Sequence, residues 1–216
     1  MSRVMAARLT RTYAGASGPV LDALDLELPS GTLAVVMGPS GSGKTTLLLT
    51  LAGFEPPEDG SVRAEVDGHD QTDPAKLEWP DLAFLPQSLG LVPDLTVRDN
   101  VGLPVRLAGH TVDDGAIEAV LDRLGGAQLV DRLPLMCSLG EQQRIALARA
   151  SVLRPQILLA DEPTAHQDAL STHRCLMELR ACTDKGGVVL AATHDPDVLA
   201  VADVVYELHD GKLTTR

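Results

Sequence analysis

The chain has 216 residues, 44% hydrophobic and 22% charged, which suits one domain with a real core and a soluble globular class. Its formal net charge of −12 argues against nucleic acid as a partner, and no run reaches the roughly 18 uncharged apolar residues needed to cross a bilayer. Cys137, Cys175 and Cys182 lack metal-ligand spacing and read as free, packed thiols, and with no apolar leader at the start a cytoplasmic chain is expected.

Residues 4–9 and 21–28 alternate apolar and polar, which predicts two strands. "TLAVVM", 32–37, is a short apolar run of the kind buried in a parallel sheet. It leads directly into "GPSGSGKT", Gly38, Pro39, Ser40, Gly41, Ser42, Gly43, Lys44 and Thr45, followed by a helical pattern. This is G-x-x-x-x-G-K-[ST] between a strand and a helix, a phosphate-binding loop in its required setting. Glycines let backbone N–H groups converge on phosphate oxygens, and the positive end of the helix points at the same place. Lys44 is expected to reach the β- and γ-phosphates of ATP, Thr45 to offer its hydroxyl to Mg²⁺, and Thr46 to touch the α-phosphate.

"SVRAEV", 61–66, alternates again and ends at the turn signal Asp67-Gly68. Strand "LAFLP", 82–86, places Gln87 at its end, where an amide can ligate Mg²⁺ or orient water. From about 96 to 154 the apolar period is helical. "ILLADE", 157–162, is a strand ending in two acids, Asp161 suited to Mg²⁺ and Glu162 to general-base work on water. "VVLAATHD", 188–195, brings His194 to another strand end, and 203–215 reads as a hairpin around Asp210-Gly211. The fold class expected is α/β: a P-loop NTPase (RecA-like) core, an N-terminal antiparallel β subdomain, and an α-helical subdomain inserted at about 88–154 of a single 1–216 domain. Trp79 and the remaining histidines match no motif and read as structural or surface residues.

Residues 38–45, Gln87, "SLGEQQR" at 138–144, "LLADEPT" at 158–164, Asp168 and His194 stand in the order of the ATP-binding-cassette (ABC) ATPases, which the whole chain resembles. The phrases "LVPDLTVRDNV" and "GEQQR" look most like the lipoprotein-release, macrolide-export and FtsE-type members. The resemblance implies an ATPase subunit that binds ATP and Mg²⁺, dimerises with itself or with a related subunit, and powers a membrane permease from the inner face of the cell membrane. It implies that Tyr13 stacks on adenine, that Ser138 and Gly140 read the γ-phosphate held by the opposite subunit, and that Asp168 belongs to the same nucleotide-facing surface. An FtsE-like regulator that moves no substrate, and a weakly hydrolysing nucleotide-binding subunit, remain alternatives.

Two departures bear on the last point. The family's signature L-S-G-G-Q/E reads "CSLGE" here, with Leu139 at the first glycine, and "TAHQD" places His166 and Gln167 where small and apolar residues are common. Ser138 and Glu141 also spell a capping box, so the segment has a helix-start role of its own. By that resemblance Leu139 adds a branched side chain close to the partner's phosphate and cannot easily adopt φ > 0, so a looser or strained contact is expected, weakening the half-site donated to a partner.

Overall fold

The computed structural model describes residues 2–15, 18–71, 73–77 and 81–216; Trp79 lies outside the described residues. Among the described residues, ten strands form two sheets. In the first, β1 (Arg3–Arg11), β2 (Leu21–Leu28), β4 (Asp59–Val66) and β5 (His69–Gln71) pair antiparallel in the order β2-β1-β4-β5. Their alternating burial is that of a sheet with one face on the core.

The second sheet holds β3 (Leu33–Met37), β6 (Leu82–Leu85), β7 (Ile157–Asp161), β8 (Val188–Ala192), β9 (Val204–His209) and β10 (Lys212–Thr215), in the order β10-β9-β3-β8-β7-β6. All neighbours are parallel except β9 and β10, the hairpin expected around Asp210-Gly211. β7 and β8 are buried at every residue, as continuous apolar runs must be when both faces are covered. Alternate residues serve different cores. Ile157 and Leu159 pack with Val188, Leu190 and the antiparallel sheet, whereas Leu158, Ala160 and Val189 pack with the helices on the other side.

Helix α1 (Lys44–Leu51) follows β3 after the loop 38–43. Three helices, α2 (Val97–Leu107), α3 (Asp114–Arg123) and α4 (Leu139–Ser151), lie between β6 and β7 in the chain, and α5 (Ala169–Thr183) and α6 (Pro196–Val201) complete the set. The inserted helices share a core with the sheet through Ile117, Leu121, Ile145 and Leu147. Among the described residues, no helix is long and apolar enough to cross a membrane. The three cysteines are free and buried, and burial pushes the Cys175 and Cys182 thiols up to about 12, as packed thiols require.

One buried carboxylate ties the insertion to the core. Glu178 of α5 is 1% exposed and accepts from Arg123 at the end of α3 (2.8 and 3.1 Å), with Arg154 at 3.4 Å. The arginines keep 41% and 43% of their side chains exposed, so they rehydrate when the acceptor is lost, and the cost stays below that of breaking a fully buried pair. Glu178→Ala is therefore expected to destabilise the chain by about 1–3 kcal/mol in urea unfolding; no change would show that the pair does not join the two parts.

Candidate functional site

β3, β8, β7 and β6 are neighbours in the sheet, and parallel pairing brings their carboxyl ends level: Val36 stands against Ala192, Asp161 against Ala192, and Leu85 against Ala160. The segments that follow them carry the phosphate loop, Thr193-His194, Glu162 and Gln87. Side chains far apart in sequence thus converge at one end of the sheet, the usual ligand position of an open α/β fold. They line a cavity of about 720 Å³ with Tyr13, Gly38, Pro39, Ser40, Gly41, Gly43, Lys44, Thr45, Thr46, Gln87, Asp161, Glu162 and His194 on its walls.

The loop suits an anion on four counts. Gly43 caps α1 at φ 101, and a Cβ there would stand 2.8–2.9 Å from Val20, so both conformation and space demand glycine. α2 to α6 each have a side-chain N-cap, from Thr96, Asp113, Ser138, Asp168 and Asp195, whereas α1 has none, and its first N–H groups are left for another partner. The Ser42 hydroxyl is buried without a hydrogen-bond partner. Lys44 Nζ donates to the carbonyls of Gly38 (2.8 Å) and Pro39 (3.0 Å), which holds the ammonium over the loop.

Beside the loop, Thr45 Oγ1 donates to Asp161 Oδ2 at 2.6 Å. Burial raises the Asp161 carboxyl above the ordinary aspartate value, with the Thr45 hydrogen bond opposing and the neighbouring Glu162 adding to the rise. A hydroxyl, a carboxylate and the nearby Gln87 amide are hard oxygen donors, the set that fits Mg²⁺ together with phosphate.

Glu162 is held from every side. Its backbone is left-handed at φ 50, a strained conformation for a side-chain-bearing residue. Its N–H donates to the Ala192 carbonyl (2.8 Å), and its carbonyl accepts from Gln143 Nε2 (3.0 Å). Thr193 Oγ1 donates to one carboxylate oxygen (3.0 Å), and His194 Nδ1 lies 3.1 Å from the other. The His194 side chain is 85% exposed and faces the cavity, while Thr193 is fully buried. Gln143 and Thr193 were not singled out from sequence. The available signals were a polar residue on the buried face of α4 and a threonine directly after the apolar run of β8.

Tyr13 sits at the cavity rim, 38% exposed. Its hydroxyl donates to Glu55 and shares a 3.2 Å hydrogen bond with Thr46 Oγ1, and the Arg11 guanidinium lies 5.3 Å from the ring centroid.

A second cavity of about 770 Å³ shares Gln87, Glu162 and His194 and extends to Leu139, Gln142 and His166. Here the backbone asks for no positive φ at Leu139. Ser138 is the N-cap of α4 and forms the full capping box with Glu141 (2.8 and 3.3 Å), so Leu139 is the first helical residue and takes no positive φ. The residue is 59% exposed and strains nothing in this chain. The steric demand falls on Gly140, where a Cβ would stand 2.7 Å from the His166 carbonyl oxygen. Asp168 caps α5 by accepting from Ser171 N at 2.8 Å, which holds its carboxylate below the ordinary aspartate range.

The family model described as ABC transporter matches residues 21–165. The Fe(3+) ions import ATP-binding protein FbpC of Pasteurella multocida is 36% identical over 209 residues, which cover 95% of this chain and 59% of that protein. The macrolide export ATP-binding/permease protein MacB of Marinobacter nauticus is 35% identical over 200 residues, 90% of this chain and 31% of MacB. The chain therefore spans little more than half the length of the first of these relatives and less than a third of the second. Among solved structures, the post-hydrolysis dimer of the ATP-binding cassette MJ0796 bound to ADP and Pi aligns at TM-score 0.86 and 26% identity, covering 99% of this chain and 97% of that one.

The contrast between the two signature positions is measurable. Gly140→Ala is expected to cost about 1–3 kcal/mol by overpacking against the His166 carbonyl. Leu139→Gly at the exposed neighbouring position should cost less than about 1 kcal/mol. Equal tolerance of both substitutions in chemical denaturation would contradict the packing described.

Proposed function

The chain belongs to the ABC transporter family, and from that premise we propose that it is the subunit that binds and hydrolyses ATP to drive a membrane permease by closing and reopening a dimer of cassettes. The observation that carries the proposal is the meeting of Lys44, Thr45, Gln87, Asp161, Glu162 and His194 around one cavity at the ends of adjacent parallel strands.

In this reading the phosphate loop holds the α- and β-phosphates, and Lys44 exchanges its loop carbonyls for β- and γ-phosphate oxygens. Thr45, Asp161 and Gln87 would hold Mg²⁺, which when bound neutralises charge on the phosphates. Glu162, aimed by Thr193 and His194, accepts a proton from the water that attacks the γ-phosphorus, while the bond from that phosphorus to the bridging oxygen breaks and ADP and phosphate leave. His194 reaches the γ-phosphate side, and Tyr13 offers its ring to the base. In a dimer, the Ser138 hydroxyl and the Gly140 N–H face the γ-phosphate bound by the other cassette.

Hydrogen bonds to charged groups contribute about 1.5–3 kcal/mol each. Two or three that exist only with the γ-phosphate give roughly 3–9 kcal/mol, against about 5.5 kcal/mol needed to swing an equilibrium from 1:99 to 99:1. Dimer closure on ATP and reopening on hydrolysis are thus within reach of these contacts. The segment 88–154, which starts beside Gln87, is the part proposed to pass the motion to a permease at the inner face of the cell membrane. An import subunit and an export protein match at nearly equal identity, so direction and cargo are left to the permease.

Leu139 favours a second reading. A largely exposed leucine beside Ser138 crowds the approach of a partner's γ-phosphate, which suits a slow ATPase or an asymmetric pair with a related cassette. Turnover of Leu139→Gly decides between the two, since a rise supports a weakened donated half-site and no gain removes it. For the main proposal, Glu162→Gln should lower turnover by about 100-fold or more while Mg-ATP binding persists and an ATP-bound dimer accumulates in size-exclusion chromatography. Turnover at the parent's rate would contradict the assignment of Glu162 as base.

A further inference from the structure

Gln167 occupies a position that the sequence marks as unusual, and its side chain turns inward rather than toward a partner. Nε2 donates to the Gly140 carbonyl at 2.9 Å and to the Ala165 carbonyl at 3.2 Å. Oε1 accepts from Arg144 Nη1 at 2.9 Å, and the same guanidinium nitrogen donates to Ser171 Oγ at 3.2 Å. One amide therefore grips α4 at two points one turn apart, Gly140 and Arg144, while its own backbone belongs to the Thr164–Asp168 loop. A second contact runs the other way. His166 is left-handed at φ 62, and its carbonyl oxygen occupies the space that a side chain at 140 would need.

We propose that Gln167 is a positioning residue that clamps the Thr164–Asp168 loop to the first turn of α4, so that the two present to nucleotide as one rigid unit. An apolar side chain at 167 can fill the same space but leaves the Gly140 and Arg144 groups without these partners. The clamp is confined to one chain, so it acts whether the dimer partner is identical or related. Its role in turnover rests on the ATPase reading above; its existence does not.

The test uses the purified full chain with Gln167→Leu and Gln167→Glu. Leucine removes every hydrogen bond of the amide. Glutamate keeps an acceptor for Arg144 and replaces the donor to Gly140 with a second acceptor, and it guards against loss of fold in the leucine variant. Both variants should raise amide hydrogen exchange at 141–144, 165 and 167 about five- to tenfold, the scale of one or two hydrogen bonds, with exchange at 38–46 unchanged. The Kd for Mg-ATP should stay at the parent's value while turnover per bound nucleotide falls by a similar factor, a kcat effect without a KM effect. Parent-like exchange in both variants would overturn the clamp. Faster exchange with unchanged turnover would make Gln167 merely structural and overturn the positioning role. Failure of the parent to bind Mg-ATP would instead defeat the ATPase reading, and the exchange comparison would still decide the clamp.

Discussion

Parallel pairing of β3, β8, β7 and β6 is the constraint on which everything else rests. In a parallel sheet all strands leave at the same edge, so the loops after them crowd one end of the fold. The register puts Asp161 level with Ala192, one residue before Thr193, and this is why a threonine and a histidine from one strand can hold a glutamate from the next. Without that alignment, the phosphate loop would remain a glycine-rich turn and the two acids a solvated strand end. The apolar runs that build the strands are therefore as much a part of the site as the polar residues that line it.

Much of this was legible in the sequence because the signals were local. The phosphate loop depends on backbone bends and a helix start, which glycines and Gly43 in particular encode within a few residues. Fully buried strands announce themselves as continuous apolar runs, so Asp161, Gln87 and His194 could be placed at strand ends before the sheet order was known. Gln143 and Thr193 were not legible, because their partners lie across the fold and nothing nearby in sequence marks them as supports of Glu162.

The signature segment was legible in part, through its capping box. Leu139 drew attention because glycine is usual there, yet the capping box makes it a first-turn helical residue with its side chain in solvent. The residue that must be glycine is its neighbour Gly140, for a reason that exists only when the loop at His166 packs against it. Gln167 follows the same logic. Read as a surface departure, its amide bonds inward, to one donor and one acceptor on α4 and a second acceptor in its own loop. Tertiary packing, not local propensity, decides what these positions tolerate.

The most direct test of the account is isothermal titration of the chain with Mg-ATP, beside the Lys44→Ala variant. Saturable binding by the parent, weakened at least about tenfold when the ammonium is removed, is the predicted result, since a charge-assisted contact contributes more than about 1.4 kcal/mol. Absence of binding by the parent, or equal binding by both proteins, would contradict the claim that these strand ends form a nucleotide site.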